Sequence, residues 1–215
     1  MAWLTTLPAR QRACLECGAG RAEVAAFMAG RFGRAIALDV EPRHLRHVKK
    51  PVHVLCGDAA ALPFADNSLD LVVSLQSLHH FVVEQHLRES RRVLRDGGIF
   101  AALCWGEMRL PDGTAPIYDP VFKALEPYWE EARAWVLEGY ADLAFDGEAI
   151  ALPTVRMTRL LSLDALDLMI ARWSATQHAL ARGADIPDPV LTDRQRWRLA
   201  PISVGWPLLG RVFRV

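Results

Sequence analysis

Ala13-Cys14-Leu15-Glu16-Cys17-Gly18-Ala19-Gly20 is a short apolar run holding one acid and stopped by two glycines a single residue apart. Bounded this way, it reads as a strand entering a tight turn, and Ala22 to Arg31 then places Val24, Ala25, Phe27 and Met28 on one helical face. The same pattern recurs downstream. Ala35 to Asp39 is a second apolar run ending in an acid, Pro42 can open the helix after it, and Val52 to Cys56 makes a third strand. Asp70 to Ser74 reads as a fourth strand, with its helix over Val83 to Leu94. Arg95-Asp96-Gly97-Gly98 reads as a turn, and Ile99 to Cys104 as a fifth strand of the continuously apolar kind covered on both faces. Strands alternating with helices at this spacing predict right-handed crossovers and a Rossmann-like, doubly wound, mostly parallel α/β sheet.

Beyond Trp105 the rhythm breaks. Pro111, Gly113, Pro116 and Pro120 interrupt the segment, and Val121 to Tyr140 carries aromatic residues at loosely helical spacing, so 106–151 is expected to be a helical insertion over the substrate pocket. Thr154 to Leu161 is expected to return as a strand, Leu163 to Leu180 to form one helix, and Ile202 to Val215 to form the last strand. Without long crossovers, these late strands predict an antiparallel C-terminal hairpin at the sheet edge. Residues 1–215 are read as one domain.

The chain has 215 residues, 25 basic against 25 acidic side chains, and formal net charge +0. That balance supplies no positive field for nucleic acid. With 52% hydrophobic residues the chain can bury a core. Charges interrupt every apolar run well before membrane-spanning length, and no basic stretch with an apolar leader opens the chain. The expectation is a cytoplasmic protein, monomer or homodimer, with no membrane or nucleic-acid partner. Four scattered cysteines form no disulfide framework or metal motif, and Cys14-x-x-Cys17 is read as packing inside a strand.

In open α/β sheets a ligand lies beyond the carboxyl ends of the strands, where glycines let backbone amides approach it. Gly18 and Gly20 occupy such a place, but Glu23 stands where a dinucleotide fingerprint wants glycine and would repel a pyrophosphate. Asp39 follows Gly18 by 21 residues, where a carboxylate can accept ribose hydroxyls. Gly57-Asp58-Ala59 follows the third strand, where a carboxylate can accept from an exocyclic amine. Adenosine without phosphates satisfies all three.

These residues, followed by Leu62-Pro63-Phe64, Asn67 to Ser74, Ser77-Leu78-His79-His80-Phe81 and Arg92 to Gly98, resemble the class I S-adenosylmethionine-dependent methyltransferases over about residues 12 to 105. The resemblance implies S-adenosylmethionine as cofactor, with S-adenosylhomocysteine as product. It places Glu16 at the sulfonium and amino end, Gly18 and Gly20 against the cofactor, and Asp39 on the ribose. Asp58 and the Ala59 amide fall on the adenine, Gln76 near the methionine portion, and Asp70 becomes a structural acid. Trp173-Ser174-Ala175 is similar to a stretch in trans-aconitate methyltransferase-like relatives. The implied reaction is methyl transfer to a small-molecule acceptor, a carboxylate or a hydroxyl, with no metal. His79 is the candidate general base where a base is needed. Arg91, Arg92 and Arg95 read as a solvated helix face. The family usually has glycine where Ala22 stands and one or two helices before the first strand, where this chain has about a dozen residues. Those departures support a second reading, a weak or inactive methyltransferase-like binding or regulatory protein.

Overall fold

The computed structural model describes residues 1–188 and 201–215. Contacts divide the chain into two units, one of Met1–Trp105, Trp135–Pro153 and Leu209–Val215, the other of Gly106–Ala134 and Thr154–Leu208. The segment 106–151 is therefore shared between them.

The first unit contains β1 (Ala13–Cys17), α1 (Glu23–Met28), β2 (Arg34–Asp39), α2 (Pro42–Leu45), β3 (His53–Cys56), β4 (Leu69–Leu75), α3 (Val83–Val93) and β5 (Leu94–Trp105). The sheet runs in the order β3-β2-β1-β4-β5 and continues to the final strand, β8 (Ile202–Arg214), and to β6 (Glu148–Ile150). β1 through β5 pair in parallel, whereas β6 pairs with β8 in antiparallel fashion. Strand order reverses between β1 and β4, which makes their carboxyl ends the switch point where α/β sheets bind ligands.

Ile99 through Cys104 are at most 1% exposed, as a strand covered on both faces requires. Residues 95–98 are not a free turn. They lie inside β5 at a register irregularity opposite Leu69 and Leu71, because the Gly97 amide donates to the Val215 carbonyl and the Val215 amide donates to Gly98. Asp70, 2% exposed, accepts from the Arg12 and Ala13 amides at 2.7 and 2.8 Å and from the Arg95 guanidinium at 2.9 Å. Arg95 and Arg92 are thus anchors, not a solvated face: Arg92 donates to the Leu62 and Phe64 carbonyls and pairs with Glu89 and Asp66.

The second unit holds α4 (Ala115–Leu125), α5 in part (Ala132–Leu137), β7 (Arg156–Leu161), α6 (Leu163–Ala171), α7 (Ser174–Ala181) and the start of β8, which pairs with β7 in antiparallel fashion. Tyr118, Val121, Leu125, Leu163, Leu166, Ile170 and Val204 are among the residues of its own apolar core. The helix α4 runs through Pro116 and Pro120, although proline was expected to break this segment; Pro116 sits in the first turn, where its missing N–H is not needed. The expected single helix 163–180 is two, because Trp173 is extended. There the Thr176 hydroxyl and the Gln177 side-chain amide take up the Ile170 and Ala171 carbonyls that a continuous helix would have used. Among the described residues, no helix is long and apolar enough to cross a membrane and no group of three His, Cys, Asp or Glu could hold a metal ion.

Asp70→Ala strands two part-buried amides and one guanidinium. Loss of such partners costs about 1 to 3 kcal/mol each. The urea midpoint is expected to fall by an amount corresponding to at least ~3 kcal/mol, and a midpoint within ~0.5 kcal/mol of the parent would remove Asp70 from this role.

Candidate functional site

Glu16 lies one residue before the end of β1 and is 4% exposed, and among the described residues no cation faces it. One carboxylate oxygen accepts the Ala25 amide at 2.7 Å, in the first turn of α1. That helix has no side-chain cap of its own, since Ala22 precedes it in left-handed conformation at φ 56°. Glu16 supplies the missing acceptor from the neighbouring strand. Burial drives its carboxyl up to about 7; Glu23 and Asp39 push the same way, and the Ala25 and Val24 amides oppose them.

Gly18 and Gly20 are both left-handed, at φ +64° and +52°. A Cβ on Gly18 would stand 2.5 Å from the Ser77 Cβ, so the turn closes against the residue after Gln76. Ser77, 6% exposed, donates its hydroxyl to the Cys17 carbonyl at 2.9 Å and ties the end of β1 to the loop after β4. Around Gly20 the surroundings differ: nothing lies within 4 Å of where its Cβ would be. The backbone there is approachable.

Asp39 ends β2. Its Oδ2 accepts the Gly20 amide at 2.7 Å, its Oδ1 accepts the Glu41 amide at 2.9 Å and lies 3.2 Å from His44 Nδ1, and its carbonyl accepts the Gly57 amide at 3.1 Å. A carboxylate offers about four lone-pair sites, so three contacts leave capacity for one hydroxyl donor. Asp58 is exposed, and its Oδ1 accepts the Ala60 amide at 2.8 Å, which turns the loop after β3. Ala59 is buried, and its carbonyl lies 3.0 Å from His86 Nδ1, while His86 Nε2 lies 3.3 Å from the Ser74 hydroxyl. Burial lowers the His86 pKa, so the neutral ring donates to Ala59 and accepts from Ser74.

The structure therefore links Glu16, Gly18, Gly20 and Asp39 through direct bonds or shared neighbours, and joins the Asp58-Ala59 loop to Asp39 through Gly57. Gln76 is exposed, left-handed at φ 58°, and donates its amide to the Leu103 carbonyl. His79 is half-buried, with Nδ1 3.1 Å from the Tyr140 hydroxyl. Ala22 is fully buried with Ala19, Ala25, Ala37, Leu45 and Val52, so its methyl packs inward and not over the turn. Burial pushes the Cys14 and Cys104 thiols up to about 12, in keeping with packing roles.

Ser77, His86 and Tyr140 escaped the sequence reading. His86 and Ser90 sit with Val93 on the buried stripe of α3, where polar residues interrupt the apolar pattern that marks a helix face. Ser77 opens the motif quoted after the fourth strand, where it was given no role of its own. Tyr140 has no local signal, since it is 61 residues from His79.

Residues 15–102 match the methyltransferase domain family model. An uncharacterized methyltransferase-like protein of Schizosaccharomyces pombe is 34% identical over 133 residues, covering 60% of this chain and 50% of that protein. The malonyl-[acyl-carrier protein] O-methyltransferase of Dechloromonas aromatica is 37% identical over 94 residues, covering 43% and 36%. The chain thus spans half or less of these relatives' lengths. A solved structure from Anaeromyxobacter dehalogenans, provisionally assigned as a type II methyltransferase, superposes with TM-score 0.88 at 27% identity, over 99% of this chain and 94% of that one. Over residues 15–102 the chain is thus similar to a methyltransferase domain, and its fold is that of the Anaeromyxobacter dehalogenans structure.

Glu16 generates a pH prediction. Its folded pKa is raised, so the folded state holds the extra proton between the unfolded value of 4.5 and about 7, and stability is lost as pH rises through that window. The loss is on the order of 2 to 3 kcal/mol. Glu16→Gln keeps an acceptor for Ala25 and removes the charge, so the fall in urea midpoint from pH 5 to pH 8 is expected to shrink by that amount. An unchanged slope would mean that Glu16 titrates normally.

Proposed function

We propose that the protein as a whole transfers a methyl group from S-adenosylmethionine to a small-molecule oxygen acceptor. The observation that carries the reading is the left-handed, unobstructed Gly20 turn bonded through its amide to the Asp39 carboxylate at the sheet's switch point. The residues fit the cofactor. Gly18 and Gly20 would give it backbone to lie against, Asp39 would accept a ribose hydroxyl, and Asp58 with the Ala59 amide would meet the adenine. Gln76 would lie near the methionine portion, and Glu16 would give its positive end a charge that no cation among the described residues neutralises. Bound there, S-adenosylmethionine supplies a methyl on a positively charged sulfur, open to in-line displacement.

The chain's part is positional. A rigid turn, fixed by Ser77 on one side and Asp39 on the other, holds the donor end in one place, and orientation of this kind accounts for much of the rate gain in transfer reactions. Oxygen as the accepting atom is supported by the malonyl-[acyl-carrier protein] O-methyltransferase relative. A carboxylate needs no base; a hydroxyl would, and His79 is the residue proposed for the acceptor side. A trans-aconitate-type acceptor belongs to the carboxylate case. Residues 106–151 are proposed to select the acceptor.

Asp39→Ala is expected to weaken S-adenosylhomocysteine binding at least ~tenfold by calorimetry, since charge-assisted bonds are worth on the order of 1.5 to 3 kcal/mol each. The circular dichroism spectrum should remain that of a folded protein. Unchanged affinity would take Asp39 out of the site.

A further inference from the structure

We infer that the outer edge of β3, with the basic stretch that leads into it, docks an extended acidic segment of a partner protein. β3 stands at one end of the sheet order, and among the described residues its only paired neighbour is β2. Along a strand, successive residues turn their N–H and C=O groups to opposite sides. The Gly57 amide bonds to the Asp39 carbonyl of β2, so Gly57, Leu55 and His53 turn their backbone groups to β2, and Val54 and Cys56 turn theirs outward. No further backbone bond to Val54 or Cys56 occurs among the described residues. Val54 is half exposed, and His53 and Cys56 are exposed, so this edge is open. Unmade bonds along an edge strand are a template for another strand.

Charge decides which strand fits. From Pro42 to Gly57 the chain carries Arg43, Arg46, Lys49, Lys50 and three histidines, and no acidic residue. All four cations are exposed. The ion pairs in this stretch are Arg43 with Glu41 and His44 with Asp39, which leaves Arg46, Lys49 and Lys50 without an acidic partner among the described residues. The helix α2, which carries Arg43, packs on β2 and β3, and Lys49 and Lys50 lie in the short connection into β3. A chain balanced at 25 basic against 25 acidic side chains thus leaves the amino end of this edge strongly positive.

Edge strands are commonly guarded by lysine or proline within them, whereas His53-Val54-Leu55-Cys56 contains neither. The cations stand in the flank. A second copy of this chain would bring the same cations to the same edge and be repelled. A phosphate backbone has no amide to give, and would leave the outward carbonyls of Val54 and Cys56 unpaired. An extended peptide supplies both N–H and C=O, and acidic side chains on it meet Arg46, Lys49 and Lys50. Asp58, exposed two residues past the strand, sets the polarity: the acidic groups belong at the amino end of β3 and not at its carboxyl end. This surface is independent of the methyl-transfer reading.

The probe is a fluorescein-labelled peptide of four Glu-Val repeats, titrated with the whole protein and read by anisotropy. Binding is expected, and it should weaken at least ~tenfold in the double variant Arg46→Glu/Lys49→Glu. The peptide is also expected to slow exchange of the Val54 and Cys56 amide protons at least ~tenfold, read by 1H–15N spectroscopy. A Lys-Val peptide, and the Glu-Val peptide with every amide N-methylated, should not bind. No binding of the Glu-Val peptide, equal binding of its N-methylated form, unchanged affinity in the double variant, or unchanged exchange at Val54 and Cys56 overturns the inference. Tighter binding of a uridine oligonucleotide or of phosphatidylserine vesicles than of the peptide assigns the basic stretch to a polyanion and overturns it as well. If the double variant loses the circular dichroism spectrum of a folded protein, the exchange measurement and the N-methylated peptide, both made on the wild type, decide.

Discussion

One residue, Asp39, holds three loops at the carboxyl end of the sheet. Its two carboxylate oxygens take the amides of Gly20 and Glu41, and its backbone carbonyl takes the amide of Gly57. The glycine turn after β1, the entry to α2 and the loop leading to Asp58 are thus fixed relative to one another through a single position. A carboxylate that is 6% exposed is costly to bury, and amide donors offset that cost. The arrangement preorganises the turn before any ligand arrives. The same carboxylate keeps one site for a hydroxyl, so the group that builds the loops is also the group proposed to read the ligand.

Glu16 shows the other side of this economy. Its carboxylate completes the start of α1, but no cation among the described residues faces it, and Asp39 and Glu23 both disfavour its charge. A protein selected only for stability would be served as well by a neutral acceptor. An unbalanced negative group beside a glycine turn is instead suited to a cationic ligand, which is the character of a sulfonium carrying an amino group. Local instability of this kind is common where binding supplies the missing charge.

The alternating part of the fold was legible because continuous apolar runs and glycine turns state the parallel sheet directly. β1 to β4 and α3 fall within a residue or two of where periodicity puts them. The place of Asp39 at the end of β2 was legible from its spacing beyond Gly18, and that of Asp58 from its position after the third strand. What local sequence hides is pairing with distant chain. The turn at 95–98 becomes strand because Val215 bonds to it, and Arg92 and Arg95 leave solvent because Leu62, Phe64 and Asp70 offer acceptors. The break before Ser174 depends on Thr176 and Gln177 reaching back to α6. His86 was masked by its place on an apolar stripe, and Tyr140 by its distance along the chain from His79.

The central claim, that the Gly18–Gly20 turn and Asp39 hold S-adenosylmethionine, is tested most directly by a crystal structure of the protein grown with S-adenosylhomocysteine. The account predicts the ribose within hydrogen-bond distance of the Asp39 carboxylate, the ligand passing over Gly20, and the adenine at Asp58 and Ala59. Density for the ligand away from the carboxyl ends of β1 and β2, or a ribose with no bond to Asp39, would contradict it.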